Sequence, residues 1–248
     1  MTLEQFFAEN REVAIAFSGG VDSAYLLYAA TRYAARVKAY YVSTAFQPAF
    51  ELADARRLAD ELGADMQVLH VDVLMSGAVV ANPPDRCYHC KNTLFRQILR
   101  AAENDGFPVL LDGTNASDDA GDRPGMRALR ELSVRSPLRE CGLTKAEIRR
   151  LSREAGLFTW DKPAYACLAT RIRTGEEITL QKLKQTEKAE GFLFGLGFRD
   201  FRVRMVGNTA KLELREADLP LLLENREKIV TELRKDYDSV LLNLEVRK

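Results

Sequence analysis

The stretch FSGGVDSAYLL, residues 17–27, joins an apolar run to a pattern of helical spacing. REVAIAF (11–17) reads as a buried strand and VDSAYLLYAATRYAA (21–35) as a helix, so Ser18, Gly19, Gly20, Asp22 and Ser23 lie in and around the turn between them. In an open α/β sheet this turn sits at the carboxyl ends of the strands, where ligands bind. The glycines let the backbone approach an anion, and the first N–H groups of the helix point toward it. Ser18 and Ser23 add hydroxyl donors. Asp22 makes little sense against bare phosphate and calls for a Mg²⁺ ion between the two. A Walker A loop carries a lysine that reaches the terminal phosphates. No lysine occurs in this loop, which argues against γ-phosphoryl transfer.

Outward from the loop, VKAYYVST (37–44), DMQVLHVDV (65–73) and FPVLLDGT (107–114) read as strands. FELADARRLADELGA (50–64) and CKNTLFRQILRAAENDG (90–106) read as helices with glycine stops. The alternation predicts an α/β fold: an open, mostly parallel sheet with helices on both faces. LTKAEIRRLSREAGL (143–157) starts on a capping box, Thr144 with Glu147. After RIRTGEEIT (171–179) the pattern changes to helix, two strands, helix, strand. The expected organisation is a nucleotide-binding domain over 1–172 and a small α/β domain over 173–248.

The chain has 248 residues, with 36 basic and 36 acidic side chains. A formal net charge of zero gives no overall field to draw nucleic acid or a membrane surface, so neither is expected as a partner. No apolar run approaches the roughly 18 residues of a membrane span. MTLEQFFAEN lacks a basic n-region, so no signal peptide is expected and the cytoplasm is the expected compartment. In a reducing compartment a Cys-x-x-Cys pair points to a metal or redox site rather than a disulfide.

That pair is Cys87 and Cys90 in PPDRCYHCKNT (83–93), placed just ahead of a predicted helix; Cys167, in DKPAYACLATRI, is a third thiol. Three cysteines can hold three irons of a [4Fe–4S] cluster and leave one iron open for sulfide. Structural zinc would need a fourth ligand from Cys141, His89 or His70. Unconnected thiols are the third reading, and Cys141 reads as a small buried residue. Asp112, Gly113, Thr114 and Asn115 follow a predicted strand and so reach the same carboxyl edge as the loop. A Thr-Asn turn there suits nucleotide contacts, with a plain Asx turn as the alternative. Asp118, Asp119 and Asp122 read as solvated acids, one of them available to Mg²⁺. Arg202 and Arg204 project from one face of a strand, either to grip a phosphate or as a solvated face. Trp160 reads as packing.

Ser-Gly-Gly-x-Asp-Ser over 18–23 resembles the PP-loop of the ATP pyrophosphatases, enzymes that split ATP between the α and β phosphates; a generic Gly-rich turn is the alternative. DGTNASDDAGDRPGMRALRELSVRSPL (112–138), GLTKAEIRRLS (142–152), WDKPAYACLATRI (160–172) and FRVRMVG (201–207) extend the likeness over nearly the whole chain. Together they resemble the LarE family, ATP-dependent sulfur transferases of nickel-pincer nucleotide cofactor synthesis.

The resemblance implies adenylation of a carboxylate on a pyridinium mononucleotide, followed by its conversion to a thiocarboxylate. Some members use the cysteine matching Cys167 as a sacrificial sulfur donor. Others carry extra cysteines and a [4Fe–4S] cluster that handles sulfide from a donor; Cys87, Cys90 and Cys167 resemble that type. The resemblance also implies that Ser43 contacts the nucleoside, that Arg202 and Arg204 take the substrate phosphate, and that the protein is a homo-oligomer. Arg171 and Lys162 flank Cys167 and suit stabilisation of its thiolate or of departing AMP. Glu190 and Glu213 are weaker candidates for a metal or substrate contact. Amide-forming synthetases and tRNA thiolases share the activation step. A nucleotide-binding module with a zinc clip is the non-catalytic alternative.

Overall fold

A computed structural model describes residues 1–118 and 124–247. The chain forms two compact units, the first made of 1–73 and 85–164 and the second of 74–84 with the residues from Tyr165 onward. The change of unit after Ala164 lies upstream of the boundary expected at 172. It does so because 165–171 belongs by its hydrogen bonds to the second unit, where Arg171 is tied to Glu190.

α1 (Leu3–Glu9), not foreseen from the spacing, starts on a capping box between Thr2 and Gln5 and buries Phe6 and Phe7. Next come β1 (Glu12–Ala16), α2 (Val21–Tyr33), β2 (Arg36–Ser43), α3 (Ala49–Leu62) and β3 (Met66–His70). Past α4 (Gly77–Val80), a single turn of the second unit, follow α5 (Arg86–Asn104), β4 (Val109–Leu111), α6 (Pro124–Glu131), α7 (Pro137–Glu140) and α8 (Lys145–Glu154). The four strands run parallel in the order β3-β2-β1-β4.

β1 is central and apolar on both sides, as a covered parallel sheet requires. Val13 and Ile15 join one core with Leu26, Leu27, Leu58 and Ile148, whereas Ala14 faces another with Tyr40, Ile98 and Leu110. Helices therefore cover both faces, α2, α3 and α8 on one and α5 on the other. Each fully buried leucine or isoleucine contributes about 1.5–3 kcal/mol by leaving water.

β4 is shorter than the expected 107–114. Pro108 has no N–H to give a strand, and from Asp112 the chain turns into its own side-chain hydrogen bonds. α5 begins at Arg86, right after Pro83, Pro84 and Asp85, not at Cys90. Cys87 and Cys90 thus lie within its first two turns.

The second unit contains α9 (Leu180–Gly195), β5 (Arg202–Val206), β6 (Thr209–Glu213), α10 (Leu219–Glu224), α11 (Arg226–Leu233) and β7 (Ser239–Leu242). Its sheet has the order β5-β6-β7, antiparallel between β5 and β6 and parallel between β6 and β7. The single helix expected over LPLLLENREKIVTELRKD is two. They part at Asn225, whose backbone leaves the helical region at φ −104° and ψ 9°; its side chain also donates to the Leu221 carbonyl at 3.0 Å.

α8 packs on α2 and starts as the capping box predicts: Thr144 Oγ1 accepts from the Glu147 N–H at 3.3 Å, and Glu147 Oε2 accepts from the Thr144 N–H at 2.9 Å. Thr144→Ala should cost about 1 kcal/mol in urea unfolding at neutral pH. Hydrogen bonds from the Thr144 hydroxyl, then from its N–H, hold the Glu147 carboxyl below its ordinary pKa. That contribution is present above the unfolded value and is lost as pH falls through the lowered folded one. The difference between wild type and Thr144→Ala should therefore narrow in acid; an unchanged gap would contradict this.

Candidate active site

The loop after β1 is held by its own serines. Ser23 Oγ lies 3.0 Å from Ser18 Oγ, donates to the Gly20 carbonyl at 3.1 Å and accepts from the Ser18 N–H at 3.3 Å. Gly19 has φ +72°, and a Cβ there would stand 3.1 Å from that of Ala55 on α3. Gly20 is the N-cap of α2, and no side chain caps the helix. The loop therefore leaves the positive end of α2 available to an anion.

The segment after β4 closes against this loop. A Cβ on Gly113 would come within 2.9 Å of the Ser23 backbone nitrogen, so only glycine permits the approach. Behind it Asp112 is buried and accepts from the Thr114 hydroxyl and from Ser136 Oγ at 2.6 Å. This ties down Thr114, whose hydroxyl is directed at Asp112. Asn115 forms the Asx turn and also reaches the loop. Its Oδ1 accepts from the Ser117 N–H at 2.8 Å in an Asx turn, and its Nδ2 donates to Asp22 Oδ1 at 3.3 Å. Asp118 accepts from the Asn115 N–H at 2.8 Å and is a turn residue; Asp119 and Asp122 lie outside the described residues. Ser43 ends β2, half-buried, paired in register with His70.

Two lysines remote in sequence converge on the loop. Lys145, the first residue of α8, places Nζ 2.6 Å from Asp22 Oδ2. Lys162 places Nζ 2.7 Å from Asp54 Oδ2 and 3.5 Å from the Gly19 carbonyl. Lys162 is thus held beside the loop. In the sequence Lys145 shows only as part of a capping-box helix, and nothing local points to its contact with Asp22. Trp160 is partly exposed, with Arg153 over its ring at 5.0 Å, so it packs at the surface.

None of the four cysteines is in a disulfide. Cys87 is exposed and Cys90 half-buried, spaced i and i+3 in the first two turns of α5. This spacing suits a shared metal. Cys167 belongs to the other unit, half-buried at the N-cap of a 3₁₀ turn over Leu168–Arg171. Among the described residues, no three His, Cys, Asp or Glu side chains stand together as a metal site. His89 pairs with Asp85 at 3.3 Å. Cys141 is half-buried, and burial raises its thiol pKa.

In the second unit, Arg171 is fully buried. Nε and Nη2 bind the two oxygens of Glu190 at 2.8 and 3.0 Å, and Nη1 donates to the Ala166 carbonyl at 2.9 Å and Thr170 Oγ1 at 2.8 Å. Burial would lower the Arg171 pKa, but Glu190 more than offsets this and raises it. Glu190 also accepts from the Tyr165 hydroxyl and from the Val203 N–H at 2.9 Å. Arg171 and Glu190 thus hold the segment around Cys167. Arg204 pairs with Glu213 at 2.8 Å and donates to the Thr170 carbonyl at 2.6 Å. Arg202 is buried, donates to the Phe201 carbonyl at 2.6 Å and lies over the Tyr165 ring at 5.5 Å. Burial, then the charges of Arg171 and Arg247, lower its pKa.

A glycine-rich turn from a parallel strand into an uncapped helix, at the carboxyl edge of the sheet and carrying a carboxylate, is the site of a PP-loop α/β protein. A family model described as asparagine synthase matches residues 4–118. The chain is 32% identical over 94% of its length, and 85% of the relative's, to the pyridinium-3,5-bisthiocarboxylic acid mononucleotide synthase of Lactiplantibacillus plantarum. It is 39% identical to an uncharacterised Synechocystis protein over 86% of this chain and 80% of that one. A tRNA-specific 2-thiouridylase of Thermotoga petrophila is 26% identical over 59% of this chain and 52% of its own. The chain belongs to the LarE family of PP-loop proteins.

Gly113→Ala should push the 112–115 segment off the loop and weaken nucleotide binding by roughly tenfold or more, since a Cβ meets backbone that cannot yield. Titration of a nucleotide analogue would reveal it; wild-type affinity would show that the contact does not matter. Iodoacetamide at pH 8 should label Cys141 more slowly than exposed Cys87. Raising the pH through the elevated Cys141 pKa should speed its labelling.

Proposed function

We propose that this protein is an ATP-dependent sulfur transferase that makes a thiocarboxylate on a pyridinium mononucleotide, in nickel-pincer cofactor synthesis. The observation that carries the reading is the open, aspartate-bearing loop at the head of α2, in a chain similar over nearly its whole length to a pyridinium-bisthiocarboxylate synthase. In this reading Ser18, Gly19, Gly20 and Ser23 hold the phosphates, and Ser43, Gly113, Thr114 and Asn115 line the nucleotide. Asp22 holds Mg²⁺. A substrate carboxylate oxygen attacks the α phosphorus, the bond to the β-phosphate oxygen breaks, and pyrophosphate leaves. Sulfide then attacks the acyl carbon of the adenylate, AMP departs, and a thiocarboxylate remains. Positioning and charge stabilisation supply most of this catalysis.

Arg202 and Arg204 are the proposed grip on the substrate phosphate, and Arg171 keeps Cys167 in place through the Ala166 carbonyl and Thr170. Cys87, Cys90 and Cys167 are the proposed holders of a [4Fe–4S] cluster, which when bound would offer an open iron to sulfide. The i and i+3 placement of Cys87 and Cys90 supports this for two of the three. In this reading the protein is cytoplasmic, a homo-oligomer, and draws on a sulfide donor. Sulfur transfer to tRNA, suggested by the thiouridylase relative, is disfavoured by zero net charge, because phosphate contacts dominate nucleic-acid binding.

Asp22→Ala should abolish ATP-dependent pyrophosphate release, and unchanged release would remove the loop from the reaction. Anaerobically purified protein should contain iron and acid-labile sulfide, and Cys87→Ala should lose both. Conversion of Cys167 to dehydroalanine during turnover, seen by mass spectrometry, would instead make that cysteine the sulfur donor.

A further inference from the structure

A PP-loop without a lysine raises the question of what positive side chain meets the phosphates. Lys145 stands within the site, yet its ammonium lies on Asp22 Oδ2 at 2.6 Å, while Asn115 Nδ2 approaches Oδ1 at 3.3 Å. Both carboxylate oxygens therefore carry a donor. A Mg²⁺ ion binds carboxylate oxygen at about 2.0–2.1 Å and tolerates little distortion of its shell. An ammonium at contact distance on the same carboxylate repels the ion and crowds its shell, so metal binding favours release of the lysine.

Lys145 is able to move. It is the first residue of α8, with no helical turn before it, and its side chain is a flexible four-carbon stem about one-third exposed. Asp22 lies in the first turn of α2, so an ammonium released from it stands beside the helix end on which phosphates would rest. Lys162 is less suited to this role, being more buried and held by Asp54.

We propose that Lys145 is the phosphate-binding lysine of this site: it neutralises Asp22 until Mg²⁺ and ATP arrive, then passes from Asp22 to the β–γ phosphates. The inference rests on the ATP reading above. The loop has no lysine because the fold supplies one from the start of α8.

Calorimetric binding of α,β-methylene-ATP, inorganic pyrophosphate and AMP, with and without Mg²⁺, tests the exchange in wild type, Lys145→Met, Lys145→Arg and Asp22→Asn. Lys145→Met should weaken α,β-methylene-ATP and pyrophosphate roughly 10–100-fold, the range of a charged hydrogen bond, while AMP binding stays within about twofold. Lys145→Arg should recover part of the loss. Asp22→Asn, which frees Lys145 from its partner, should bind the ATP analogue in EDTA at least as tightly as wild type does. Unchanged pyrophosphate affinity in Lys145→Met, equal loss for AMP, or weaker metal-free binding in Asp22→Asn would each overturn the proposal. A wild type that binds no ATP analogue at all would overturn the ATP reading itself, a result distinct from failure of the lysine alone.

Discussion

Gly113 fixes how closely the segment after β4 approaches the loop after β1, and the site of the first unit depends on that distance. With a Cβ position 2.9 Å from the Ser23 nitrogen, backbone lies directly against backbone. This proximity lets Asn115 reach Asp22 and brings the buried Asp112, Thr114 and Ser136 network up behind the loop. Both segments leave neighbouring parallel strands at their carboxyl ends. The pairing of β1 with β4 therefore sets the geometry of the site before any side chain is considered.

Charge placement follows from the same arrangement. A Walker A loop carries its lysine within the phosphate-binding turn, so cation and anion site are local in sequence. Here the turn is acidic, and its positive charge comes from Lys145 and Lys162, paired to Asp22 and Asp54. Each lysine is set by a different tertiary constraint: α8 packing on α2 for Lys145, and the chain leaving α8 for Lys162. An aspartate with an internal counter-ion avoids facing the helix end as an unpaired, partly buried charge.

The features legible in the sequence are those made by neighbouring residues. The strand, turn and helix over 11–33, the Thr144 capping box and the alternation of strands with helices are all local signals, and all are present in the structure. The ion pairs at the loop were not legible because their partners lie more than 100 residues apart, separated by 123 and 108 positions. Lys162 is close to Cys167 in sequence, but its contacts at Gly19 and Asp54 come from the fold and no local pattern announces them. The start of α5 was available from Pro83-Pro84-Asp85, a pattern that marks a helix beginning, but the eye goes to the cysteines that follow. The break at Asn225 is a local change of backbone angles at one residue, which helical periodicity does not register.

In the second unit, the buried Arg171–Glu190 pair shows why two charges are retained where apolar residues would also fill the space. A buried ion pair repays its desolvation only when further hydrogen bonds satisfy both groups. Arg171 binds the Ala166 carbonyl and Thr170, and Glu190 binds Tyr165 and the Val203 N–H, so both groups are well supplied. Each added partner lies either beside Cys167 in the chain or on β5, next to Arg202 and Arg204. One ion pair thereby couples the backbone that carries the thiol to the strand that carries the two arginines. An apolar replacement of equal volume would keep the core filled but leave those backbone groups without partners, and the cysteine would lose its fixed relation to the strand. What the pair contributes is geometry: a fixed relation between the Cys167 segment and β5 that an apolar pair could not supply.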